Sequence, residues 1–344
     1  MKPGMILLLM GIILLLFAGI PAVLEFMSIQ GFPILISFST QSHWFSMIYG
    51  FFLILIGNEI LIALSNEWTR KVAPTPLIVA FGLTTLLANV INFLSIYPLQ
   101  YYLVLIAFAI LLYYSKIYLS PSSLGFQPTA YNYLIFATLI ISPLIIAFQS
   151  VFDIPWAGLA FPTLMIFAVL SRDIGLVLGG RKINSFAMEI AYAFLAIGLL
   201  FYQPLIILAW IFSLYATKLP IAKGRRYPRI ALNIAWTWLL ISAILYFNYD
   251  IFIHAIAVGF LFDTVFGVDA VLMDMIVGIT GKRVSLRPSY APLILLNLGL
   301  VMRVIFDLGL NSPILILSAP LQGIGILSFF VLTLRQVLVN KAKY

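Results

Sequence analysis

Residues 43–64 read His-Trp-Phe-Ser-Met-Ile-Tyr-Gly-Phe-Phe-Leu-Ile-Leu-Ile-Gly-Asn-Glu-Ile-Leu-Ile-Ala-Leu. Glu59 is the one acid in this run, and His43 at its head is the one basic group. As a helix, such a run crosses a bilayer core of about 30 Å. Lipid offers the backbone no hydrogen-bond partners, so the chain satisfies its own amides and carbonyls by coiling. Runs of this kind recur from end to end: 63% of the residues are hydrophobic, 9% are charged, and the mean hydropathy is +1.14. The fold class that follows is all-α, a polytopic transmembrane helical bundle of about 12 spans in a single integral membrane domain, residues 1–344. A β-barrel would instead alternate apolar and polar residues over segments of about ten. The sequence does not.

The predicted spans are 5–24, 44–64, 77–96, 99–115, 131–148, 155–170, 186–201, 204–216, 230–247, 251–273, 290–310 and 313–334. Pro98, Pro204 and Pro313 mark tight turns between neighbours, and proline suits a helix's first turn. No small-residue cleavage site follows 5–24, so that run is read as a retained span rather than a signal peptide. The eighth span is the shortest.

Charge orients the bundle. On this map Lys2, Arg70, Lys71, Lys116, Arg172, Arg181, Lys182, the group Lys218–Arg229, Lys282, Arg283, Arg287, Arg335, Lys341 and Lys343 share one side. The opposite loops carry no Lys or Arg, only Glu25, Asp153 and Asp250. The positive-inside rule then puts the N- and C-termini in the cytoplasm of a cell whose plasma membrane the chain crosses repeatedly. The net charge of +8 is therefore a topology signal and does not imply a nucleic-acid partner. The outer segment 25–42 is the longest, and residues 32–36 within it are apolar enough to lie at the interface.

Cysteine is absent, which excludes disulfides, thiolate ligation of haem or iron–sulfur clusters, and thiol catalysis. No Gly-rich phosphate loop and no Gly-x-Ser-x-Gly elbow occurs, so nothing points to phosphoryl transfer or hydrolysis.

The chain has two histidines, His43 and His254, and the map places both near the outer edge. Two imidazoles complete the axial sites of one low-spin haem b. They do not complete a zinc site, which takes three or four protein ligands. Arg303 is the one base inside a span. It stands four residues before Asp307, so the two share a helix face. One reading is an ion pair facing the bundle; the other is a partner for a haem propionate. Glu59, Glu189, Asp263, Asp269 and Asp274 also sit at membrane depth, where a charge is costly unless paired, hydrated or protonated. Glu59 and Asp263 mark a candidate proton path, against the alternative of hydrogen bonding between helices. Gly259, Gly267 and Gly278 allow close approach of a neighbour or a cofactor.

The segment from His43 to Phe51 resembles the opening motif of the NnrS family of membrane proteins, in which a His-x-His-Glu-Met segment leads into a Gly-Phe helix. Gly179–Gly180–Arg181, ahead of Phe186, is similar to that family's Gly-Gly-Arg segment. His254-Ala-Ile-Ala-Val-Gly259 is similar to its His-Ala-x-Thr-Val-Gly motif, Gly278-Ile-Thr-Gly-Lys-Arg283 to its Gly-His-Thr-Gly-Arg loop, and Arg303 falls at a later arginine. The order and spacing run along nearly the whole chain. NnrS-type proteins are haem- and copper-containing and linked to nitric oxide, so the resemblance implies that His43 and His254 are haem or metal ligands. Phe45, Ser46 and Ile279 replace family His, Glu and His residues, which removes the candidate copper ligands.

The resulting expectation is a haem-b membrane protein that passes electrons or handles nitric oxide. That role belongs to an electron-transfer protein or respiratory-complex subunit more than to a stand-alone enzyme. Its partners would be the lipid bilayer, a quinone and an extracytoplasmic cytochrome. Two other classes compete with it. One is a secondary transporter using intramembrane carboxylates, chiefly Asp263, although no clear repeat relates the two halves. The other is a cofactor-free anchor that holds redox partners through the segment 25–42.

Overall fold

The computed structural model describes residues 3–33, 40–151, 156–179, 182–276, 287–310 and 312–341. Several expectations fall outside them: Lys2, the interfacial residues 34–36, Asp153, Gly180, Arg181, the loop 278–283 and Lys343. The side chains of Arg172, Asp274 and Lys341 do so as well.

Among the described residues the chain forms twelve helical rods and no strand. α1 is Pro3–Ile29. α2 runs without a break through Thr40–Ser46, Met47–Phe52, Leu53–Asn58, Glu59–Ala63 and Leu64–Thr69, the second and fourth of these being π-helical. α3 is Thr75–Phe93, α4 Leu99–Ser115, α5 Ala130–Val151 and α6 Ala157–Val177. α7 is Ser185–Leu200, α8 Ile206–Thr217 and α9 Arg226–Ile244. α10 joins Tyr249–His254, the π-helical Ala255–Phe262 and Asp263–Ile276. α11 is Ala291–Asp307 and α12 Ser318–Lys341.

Eight of these rods are long and apolar enough to cross a membrane: α1 to α5, α8 with its flanking turns, α10 and α12. Of the other four, α7 and α11 have 16 and 17 residues, α9 opens on Arg226 and Arg229, and α6 is apolar over Ala157–Ser171. The short eighth span gains length from 3-10 turns at both ends, which make a continuous segment Gln203–Ile221. The prolines act as expected. Pro98 caps α4, Pro204 sits in the turn before α8, and Pro313 opens the turn before α12.

The chain folds as two compact units. The first comprises Met1–Ala22, Ser37–Ala168 and Met275–Gly281. The second comprises Val23–Ile36, Val169–Asp274 and Lys282–Tyr344.

α2 is the centre of the first unit. Its apolar window is 83% buried, against 33–39% for α1, α3, α4 and α5, which keep one face for lipid. Helices in lipid approach through small residues, because hydrophobic burial no longer separates inside from outside. Gly57 shows this: a Cβ there would lie 2.2 Å from the Phe81 ring of α3. Around Tyr49, rings of Phe45, Tyr101 and Phe108 pack edge-on at centroid distances of 5.2, 6.5 and 6.3 Å.

A π-helical turn frees main-chain carbonyls from their usual partners, and these must be satisfied elsewhere. In α2 they are met by neighbours. Asn89 Nδ2 donates to the Tyr49 carbonyl at 3.2 Å, the Tyr118 hydroxyl donates to the Ile60 carbonyl, and the Ala73 amide donates to the Leu61 carbonyl at 2.8 Å.

α10 is the corresponding centre of the second unit, 72% buried along its window. Gly259 and Gly267 admit protein neighbours: a Cβ would meet Trp238 of α9 at 2.3 Å in the first case and Leu232 at 3.1 Å in the second. α11 and α12 form a close hairpin because Gly299 and Gly325 let backbone approach backbone; a Cβ would meet the Ser318 carbonyl at 2.5 Å and the Leu296 amide at 2.7 Å.

Candidate functional site

His254 closes the first segment of α10, with its neighbour Ala255 packed in a core cluster with Trp238 of α9 and Leu300 of α11. That packing fixes the backbone from which the imidazole projects. Its Nδ1 donates to the Asp250 carbonyl at 2.9 Å, one helical turn earlier. A carbonyl only accepts, so Nδ1 carries a proton. The Asp250 carboxylate lies beside the same nitrogen, Oδ1 at 3.4 Å.

Asp250 is held in turn by Arg303. The guanidinium places Nη2 2.6 Å and Nε 2.9 Å from Asp250 Oδ2. Nε also reaches Asp307 Oδ2 and Oδ1 at 3.1 and 3.2 Å, and the cation stacks on the Phe26 ring at 3.9 Å. Asn248 caps the start of α10 through the Ile251 amide and donates to the Asp307 carbonyl at 3.0 Å. The Arg303–Asp307 pair expected from their spacing is present, and Asp250 adds a second carboxylate. Two carboxyl groups thus share one guanidinium. Asp250, placed in an outer loop by the sequence, belongs to the first turn of α10.

His43 belongs to the first unit, in the first segment of α2. Its Nδ1 faces the Ala18 carbonyl of α1 at 3.0 Å, so its protonated nitrogen is fixed in the same way. Glu59 opens the second π-helical segment of α2 and is half-buried, and Glu189 is half-buried in α7.

Asp263 lies directly after the π-helical segment of α10 and is fully buried. Its Oδ1 accepts from Asn297 Nδ2 of α11 at 3.0 Å. Asn297 Oδ1 accepts from Trp238 Nε1 of α9 at 2.6 Å. Asp269, further along α10, is also buried. Sequence reading singled out both acids but missed Asn297 and Trp238. An asparagine amid the apolar residues of 291–300 was the available signal.

The described residues contain no group of three or more His, Asp or Glu side chains placed to hold a bare metal ion. Comparison with protein families, with curated proteins and with solved structures finds no match to this chain.

Proposed function

We propose that this chain is a haem-b-binding electron-transfer protein of the plasma membrane, crossing it twelve times with both termini in the cytoplasm. His254 and His43 are the residues that would hold the haem. One observation carries the reading: both imidazoles are anchored at Nδ1 by a main-chain carbonyl. Ligating histidines are oriented in this way, with the far nitrogen presented to the metal and its basicity raised from behind. The resemblance to the NnrS motifs suggests the same cofactor.

Haem b would supply one-electron chemistry. The residues around it have separate tasks. Asp250 holds His254 and adds negative charge behind the ring, which favours the oxidised state. Arg303 holds Asp250 and spends its charge on two carboxylates of the protein. A quinone and an extracytoplasmic cytochrome are the partners that suit such a carrier, as a membrane subunit of a respiratory complex. A reduced-minus-oxidised absorption spectrum of protein purified from its own host tests the proposal. A low-spin b-type signal, lost in His254→Ala and in His43→Ala, supports it. Intact protein with no haem signal rejects it.

A second reading, a secondary transporter, is favoured by the π-helical break that ends at the buried Asp263. Flux in proteoliposomes that requires Asp263 and no cofactor would select it.

A further inference from the structure

The basic residues of the second unit gather at one end of it, on a backbone that is tied down. Asn184, just ahead of α7, donates its amide to the Ala216 carbonyl of α8 at 3.3 Å, which brings Lys182 and Lys218 to one level. The loop after Lys218 crosses the residues that follow α6: a Cβ on Gly224 would lie 2.6 Å from the Leu178 Cα. Arg229 Nη1 closes the loop by donating to the Ala222 carbonyl at 3.0 Å. Lys223, Arg225 and Arg226 stand exposed on it. Tyr227 then packs edge-on against Tyr290, at the head of α11, with ring centroids 5.2 Å apart. The Gln336 side chain of α12 exchanges two hydrogen bonds of 2.9 Å with the Arg287 backbone. These contacts add the exposed Arg287 and Arg335 to the same end.

No acid offsets this charge among the described residues. The ion pairs described in this unit join Asp250, His254, Arg303 and Asp307, and none reaches the basic end. From Lys182 to Arg229 the one acid is Glu189, half-buried in α7. Orienting a bundle does not call for so many cations: in the first unit the same rule is met by Arg70, Lys71 and Lys116, with Glu67 close by in the chain. The cations also border apolar surface. Phe186 and Ile221 are each 69% exposed and Tyr215 is 63% exposed, and they stand a few residues from Lys182, Lys223 and Lys218 respectively. Charge at the edge with bare rings and aliphatic surface beside it matches one molecule of a leaflet, a phosphate head group on acyl chains. A nucleic acid or a soluble acidic protein would use the cations and leave the apolar surface uncovered.

We propose that this end of the second unit is a binding surface for anionic phospholipid, with the head group held by Lys218, Lys223, Arg225 and Arg226 and the acyl chains lying along Phe186, Tyr215 and Ile221. Guanidinium groups suit the task because they meet phosphate oxygens with two parallel hydrogen bonds. The pinned loop presents them without having to be ordered first, which lowers the cost of binding. The inference uses the bilayer and does not depend on haem.

Native mass spectrometry of the whole protein, released from micelles doped with equal parts of dioleoyl phosphatidylglycerol and dioleoyl phosphatidylcholine, tests it. The two lipids share their acyl chains and differ in head-group charge. Wild-type protein should retain phosphatidylglycerol several-fold over phosphatidylcholine. The combined change Lys223→Gln, Arg225→Gln and Arg226→Gln should lose that preference, and Arg225→Lys with Arg226→Lys should keep most of it. Arg70→Gln with Lys71→Gln, in the first unit, should leave it unaltered. If the triple variant does not fold, Lys223→Gln alone, at an exposed site, should weaken the preference measurably. Equal retention of the two lipids by the wild type, or a preference indifferent to the changes at 223, 225 and 226, would overturn the proposal. So would release of the lipid by millimolar inorganic phosphate, because the acyl chains would then contribute nothing.

Discussion

α2 and α10 occupy the same place in their units and solve it with different chemistry. Each is strongly buried within its unit, carries in its first segment a histidine anchored through Nδ1, and contains π-helical turns beyond it. In α2 the freed carbonyls are taken up by neutral donors from Asn89, Tyr118 and Ala73, and Tyr49 donates to Gln149 Oε1. At α10 the groups are ionisable: Asp250 and His254, met by Arg303 of α11, at one end and Asp263 further in. Burial alone does not separate the two helices. What does is how the ionisable groups are held: around α10 Asp250, His254 and Arg303 bind one another, whereas around the π-helical turns of α2 the contacts are neutral.

The comparison can be broken in several ways, and the largest effect is on the cofactor. His254→Ala should abolish the low-spin haem signal, whereas Phe45→Leu in the aromatic cluster of α2 should keep it; the absorption spectrum reads both. Next comes stability. Arg303→Met leaves Asp250 and Asp307 facing each other without a cation, and removing one partner of a buried pair costs about 3–5 kcal/mol. Because Asp250 is 40% exposed, the lower end, about 3 kcal/mol, is expected in thermal unfolding in detergent. The glycine contacts should give smaller losses. Overpacking costs about 1–3 kcal/mol, and Gly259→Ala should exceed Gly57→Ala. The Trp238 indole cannot retreat without dropping Asn297, while Phe81 is tied by packing alone. If the two substitutions cost the same, the coupling of Trp238 to Asp263 is weaker than drawn. The smallest effect belongs to Asp250→Asn. Removing one negative charge behind His254 should raise the haem midpoint potential by on the order of 59 mV, a tenfold change for one electron. Redox titration measures it.

Much of the architecture is legible in the sequence because membrane helices are dictated by length and polarity. The described residues form twelve helical rods, eight of them long and apolar enough to cross a membrane, and the prolines fell in the turns between neighbours. The π-helical segments were not legible. No residue type specifies them, and in α2 they depend on Asn89 and Tyr118 from other helices. Nor did the sequence reveal that Gly259 and Gly267 receive Trp238 and Leu232, since a glycine states that something comes close and not what. Of the candidate site, the spacing of Arg303 and Asp307 was enough to pair them. Asp250 joins them across 53 residues, and no local pattern encodes that distance.

The account stands or falls on iron held by an imidazole whose Nδ1 is fixed by the Asp250 carbonyl. The direct measurement is the redox difference spectrum of wild-type and His254→Ala protein, prepared side by side from the native host. The prediction is a b-type, bis-imidazole signal in the wild type and its loss in the variant. A wild type without haem, or a variant with an unchanged spectrum, would contradict it.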